Sequence, residues 1–171
     1  ARAGLIPKKH VPVIEQACEH DLYDPLALAE TARRNLKLTV AVVRALTAEV
    51  RKRDAAAAAS VHWGATSQDL IDTAMVLQLG EAVPPLIDDL HRIVAALAGL
   101  ARRHRTTPLL GRTLLQPATP LALGQKIAGW ASDIDRATRR LEESFAETQV
   151  LQFGGASGSL SALGVKAEPV M

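Results

Sequence analysis

The feature that most constrains this chain is a long apolar series at helical spacing. Leu70, Ile71, Ala74, Leu77 and Leu79 recur at the intervals of one helix face. Beyond Pro84-Pro85 the series resumes through Leu86, Leu90, Ile93, Val94, Leu97 and Leu100. The two prolines lack backbone N–H groups, so they predict a break or kink at that point. A second series, Leu26, Ala29, Leu36, Val40, Val43 and Leu46, predicts one long helix from Pro25 toward Arg53, with Asp54 and Ala55–Ala59 extending it. A third covers Leu123, Ile127, Trp130, Ile134, Ala137, Leu141 and Phe145, within a helix from about Pro120 to Gln149. A short helix is expected from Val11 to His20, opened by Pro12. Strand signals are almost absent, so the fold class is all-α.

Composition refines the kind of helical protein. Apolar residues make up 48% of the 171 residues but aromatics only 3%, so the core must be aliphatic and alanine-rich, which lets helices approach closely. The formal charge of +2 argues against a dedicated nucleic-acid binder. The cluster Arg102-Arg103-His104-Arg105 reads as a solvated helix C-terminus, where positive charge is favoured. Cys18 is the single cysteine, so no internal disulfide forms. No metal ligand set is evident, since His10, His20, His62, His91 and His104 are scattered. No apolar run long enough for a bilayer and no leader segment are read here, so no membrane contact and a cytoplasmic setting are expected.

Two polar stretches interrupt this apolar background. Val61-His62-Trp63-Gly64-Ala65-Thr66-Ser67-Gln68-Asp69 gathers an imidazole, two hydroxyls, an amide and a carboxylate around one glycine at a helix start. Two readings suit it. In one, the unpaired N–H groups of the helix start, with Thr66 and Ser67, cradle a carboxylate, and His62 donates or works as acid/base. In the other, Thr66 or Ser67 is an ordinary cap and His62 a satisfied loop histidine; Thr66 and Asp69 have capping-box spacing. The second stretch is Gly111-Arg112-Thr113-Leu114-Leu115-Gln116-Pro117. Arg112 offers a two-pronged fork for a carboxylate, with Thr113 and Gln116 as neutral donors; alternatively it is a surface arginine beside a polar turn. The run Gly154 to Gly158 offers backbone N–H groups to an anion, or is a flexible loop.

Taken together, these stretches resemble the fumarase/aspartase superfamily. His62 to Asp69 match its first signature region and Gly111 to Pro117 its second. Within it the chain is similar to the 3-carboxy-cis,cis-muconate cycloisomerases, through Leu22-Tyr23-Asp24-Pro25-Leu26-Ala27, Lys126-Ile127-Ala128-Gly129-Trp130 and Gln152-Phe153-Gly154-Gly155. The resemblance implies a long-helix bundle of the L-aspartase-like type, assembled as a homotetramer. It implies a small polycarboxylate substrate and no cofactor. Residues 1–66 would be the remainder of an N-terminal helical domain and 67–171 the first part of the central bundle, incomplete at both ends. By position, the catalytic residues would be His62 and Ser67, and the substrate-binding residues Thr66, Ser67, Arg112, Thr113 and Gln116. Leu114 stands where adenylosuccinate lyases and most fumarases carry a histidine, and Lys37 near another, which favours the cycloisomerases. The third signature, a loop carrying a catalytic serine, does not occur, so this chain alone is expected to be inactive or nearly so. The alternatives are another fumarate-releasing lyase, such as an adenylosuccinate lyase, and a non-catalytic helical assembly fragment.

Overall fold

A computed structural model describes residues 1–35 and 37–170. Leu36, one of the predicted apolar positions, and Met171 lie outside them. Among the described residues five α-helices carry the fold: α1 (His10–Ala17), α2 (Pro25–Asn35), α3 (Leu38–Arg53), α4 (Ser67–Arg103) and α5 (Leu123–Thr148). Four two-residue strands, β1 (Pro108–Leu109), β2 (Arg112–Thr113), β3 (Gln116–Pro117) and β4 (Leu121–Ala122), lie between α4 and α5. The all-α class holds.

Local chemistry explains where the helices depart from their predicted bounds. The helix expected from Pro25 to Arg53 is two helices, because Lys37 is extended (φ −146°, ψ 106°). The break lets α2 and α3 pack on each other, which a continuous rod cannot do. The alanine run does not prolong α3. Asp54 is also extended, and its Oδ1 accepts the N–H groups of Ala56 and Ala57 at 2.7 and 3.1 Å. That side-chain acceptor ends one helix and starts the 3-10 turn Ala57–Ser60. Conversely, α4 is not broken at Pro84-Pro85. Two prolines cost the helix two N–H donors, but its other ladder bonds carry it through. By length and composition α4 is apolar enough to cross a membrane, with a mean hydropathy of 1.3 over its best window, which corrects the expectation that no such run exists.

The chain divides into two compact units, residues 1–74 with 151–171, and residues 75–150. The core of the first is Ala17, Val50, Ala57 and Ala58, with Val13, Ile14, Leu46 and Val61 packed against it. It is aliphatic and alanine-rich, as the composition requires. Leu26, placed on the apolar stripe, is instead 81% exposed. Buried His10 donates or accepts through Nδ1 at 2.7 Å from Ser60 Oγ, tying α1 to the turn that leads into His62.

In the second unit α4 turns back into α5. Leu123 and Gly124 donate their N–H groups to the carbonyls of Thr107 and His104 at 2.8 and 2.9 Å. His91 Nε2 meets Glu142 Oε1 at 3.3 Å further along, so α5 runs back beside α4. Gly124 is required at the junction: a Cβ there would lie 2.4 Å from the Ala101 carbonyl oxygen. The predicted apolar face of α5 buries Ile127, but Trp130 is half-exposed; Thr138 is buried, its hydroxyl donating to the Ile134 carbonyl at 2.9 Å.

Candidate active site

The first polar stretch forms the start of α4 within the first unit. Val61 is extended, then His62 and Gly64 take positive φ values of 57° and 76°, and the Ala65 N–H returns to the His62 carbonyl at 3.3 Å. A histidine in the left-handed region costs about 1 to 2 kcal/mol, and such outliers gather at functional sites. His62, Thr66 and Ser67 therefore sit on one tight turn leading into one helix start. Among the described residues, the His62 ring and the Thr66 and Ser67 hydroxyls hold no hydrogen bond within the chain. They are partly buried and open to a ligand.

The polar tie at this helix start is made by Asp69. Its carboxylate is 5% exposed. Oδ2 accepts the N–H groups of Thr66 at 2.8 Å and Gly155 at 3.0 Å, and Oδ1 accepts that of Gly154 at 2.8 Å. Burial is the largest single influence and pushes the carboxyl up; the N–H groups of Gly154, Thr66 and Gly155, with nearby His62, outweigh it and hold it below its ordinary value. The glycine run does cradle an anion, and that anion is Asp69. One turn on, the Thr73 hydroxyl lies 3.3 Å from the Gln152 carbonyl oxygen and 3.2 Å from the Gln152 nitrogen. Gly155 is at φ 70°, and a Cβ on it would come 3.0 Å from the Gly64 carbonyl oxygen. Segment 152–155 is thus clamped to the turn that carries His62. The spacing of Thr66 and Asp69 signalled a cap; no local pattern signalled its long-range partners.

The second stretch is a hairpin in the other unit. Arg112 pairs with Pro117 and Thr113 with Gln116, so Leu114-Leu115 is a two-residue loop. Both leucines take positive φ, 43° and 65°, as a type I′ turn demands. Both are almost fully exposed. Buried Gly111 lets the returning strand close in: Ala118 donates its N–H to the Gly111 carbonyl at 2.8 Å, and a Cβ on Gly111 would lie 2.3 Å from the Thr119 carbonyl oxygen. Arg112, Thr113 and Gln116 are exposed along this hairpin. Arg112 also lines a cleft of about 480 Å³ with Leu109, Leu110, Leu121, Gln125 and Lys126. In the sequence Lys126 carries only the family resemblance and signals no role of its own. Among the described residues no three His, Cys, Asp or Glu side chains gather as a metal would need.

Residues 1–171 match the family described as Lyase. The chain belongs to that family. It is 49% identical to 3-carboxy-cis,cis-muconate cycloisomerase of Pseudomonas aeruginosa, over 99% of this chain and 37% of the relative. It is 49% identical to the protein of the same name from Bradyrhizobium diazoefficiens, over 97% of this chain and 37% of the relative. The crystal structure of 3-carboxy-cis,cis-muconate lactonizing enzyme from Pseudomonas putida superposes with a TM-score of 0.86 at 45% identity, over 99% of this chain and 38% of that one. The chain therefore spans well under half the length of these relatives. Their fold confirms the helical architecture of the fumarase/aspartase type.

Proposed function

We propose that the protein carrying this chain is a 3-carboxy-cis,cis-muconate cycloisomerase. The observation that carries the reading is 49% identity across nearly the whole chain to proteins of that name. The reaction is an internal addition. A substrate carboxylate oxygen bonds to one alkene carbon, and the neighbouring carbon takes a proton, giving a carboxymuconolactone. No electrons are gained or lost, so no redox cofactor is called for. Charge develops on the carbon next to a carboxylate, and cationic and N–H donors facing it lower the barrier.

In this reading Arg112 holds a substrate carboxylate by its fork, and Thr113, Gln116 and Thr66 add neutral hydrogen bonds. His62 and Ser67 serve proton transfer. Leu114 cannot transfer a proton, which supports a cycloisomerase over an adenylosuccinate lyase. The proposal includes a homotetramer, a cytoplasmic setting in protocatechuate breakdown through β-ketoadipate, and a domain division between residues 1–66 and 67–171.

The test is ultraviolet turnover by the full-length protein, with 3-carboxy-cis,cis-muconate and adenylosuccinate in parallel. Loss of the diene absorbance with the first compound alone is the expected result. Turnover of adenylosuccinate instead selects the other lyase. A folded protein that converts neither overturns the reading in favour of a non-catalytic assembly role. Arg112→Ala is expected to lower kcat/KM by about 10- to 100-fold, the scale of one charge-assisted hydrogen bond. Unchanged efficiency removes Arg112 from the site.

A further inference from the structure

The cleft beside the β2–β3 hairpin holds a second cation. Arg112, from β2, and Lys126, from the first turns of α5, line the same space of about 480 Å³. No acidic residue lines it. Among the described residues neither cation has an ion-pair partner, whereas Arg136 and Arg139 of the same helix are neutralised by Asp133 and Asp135. Lys126 Nζ stands 5.7 Å from the centroid of the Trp130 ring, one turn along α5. That contact steadies the long side chain without cancelling its charge. Gln125 adds an amide, and Leu109, Leu110 and Leu121 add apolar wall.

Two uncompensated cations in one cleft raise the local potential for a ligand with two negative ends. We propose that Lys126 is a binding and specificity-determining residue: it anchors a second carboxylate of a small polycarboxylate whose first carboxylate is held by Arg112. Arginine supplies a directional fork and lysine a point charge, so the pair fixes one end of the ligand and tolerates variation in the other. The inference rests on the proposed polycarboxylate chemistry and adds a residue that the signature stretches do not contain.

The test uses Lys126→Gln and Lys126→Arg in the full-length enzyme. With 3-carboxy-cis,cis-muconate, Lys126→Gln is expected to raise KM by about 10-fold or more, with kcat within about three-fold. Its kcat/KM should also lose part of the salt dependence of the parent. Lys126→Arg is expected to restore KM to within about three-fold. A lysine that only packs would not move the salt slope. A KM for Lys126→Gln within about two-fold of the parent overturns the inference. If the parent enzyme turns nothing over, the functional proposal falls on that result alone, and calorimetric binding of tricarballylate decides this one. Binding weakened about 10-fold in Lys126→Gln supports it; equal binding, or none to the parent, overturns it.

Discussion

One carboxylate, that of Asp69, closes three backbone donors from two distant stretches of chain. Asparagine offers one acceptor oxygen where two are used, and its NH2 group faces N–H donors. Asp69→Asn is therefore expected to cost about 1 to 3 kcal/mol in a urea unfolding series, the scale of leaving buried polar groups unpaired. The lowered carboxyl also sets a pH dependence. In the folded state Asp69 gives up its proton at lower pH than in the unfolded chain, so its stabilisation is present above about pH 4, the unfolded value, and fades as pH falls through the folded one. Glu49 is held down first by its hydrogen bonds from Lys52 and Arg53, and Asp54 by those from Ala57 and Ala56, so both add to the same trend. The urea midpoint is expected to drop on acidification below about pH 4, and to drop less steeply in Asp69→Asn. Parallel slopes in the two proteins would remove Asp69 from the account.

Two elements are built at the edge of what their residues tolerate. The β2–β3 loop places two leucines at positive φ, where a side chain costs about 1 to 2 kcal/mol and glycine nothing. Leu115 is 97% exposed, so it has no packing to lose. Leu115→Gly is expected to raise thermal stability by up to about 1 kcal/mol, after glycine's greater unfolded-state freedom is subtracted. A lower melting temperature would mean that the leucine is covered in the assembled protein. At the α4–α5 junction the strain runs the other way. Gly124→Ala drives a methyl into the Ala101 carbonyl and the backbone at His104 and Arg105. The overpacking is expected to cost about 1 to 3 kcal/mol by chemical denaturation. Periodicity locates the helices, because each apolar stripe is local, and leaves the short strands unmarked. It erred where a single backbone angle decided the outcome. Lys37 interrupts one predicted helix and Asp54 ends α3 without an advance signal as strong as the two prolines that α4 runs through.

At the scale of the whole molecule, α4 leaves apolar surface uncovered. Leu86, Ile93 and Leu100 recur every seven residues and are 49%, 43% and 38% exposed. Such a stripe is the seam by which long helices associate. It fits the proposed tetramer, in which partner helices would cover the apolar surface of α4. In the full-length protein, analytical ultracentrifugation is expected to give a mass four times that of one full-length subunit. The pair Leu86→Glu and Ile93→Glu should lower it, because a buried unpaired carboxylate costs more than the contact gains. An unchanged mass would place the interface elsewhere.

The all-α class, the aliphatic core, the two polar stretches and the family resemblance are legible from residue order alone. Each is written in spacings of a few residues or in composition, and both survive without knowledge of the fold. That Gly154 and Gly155 bind the protein's own Asp69, a partner 85 and 86 residues away, follows from the folded chain. So do the turn of two leucines in the Arg112 hairpin and the cleft that Lys126 shares with Arg112. The Asp69 pairing joins groups far apart along the chain, and no local period encodes which of many possible partners folding brings within bonding distance.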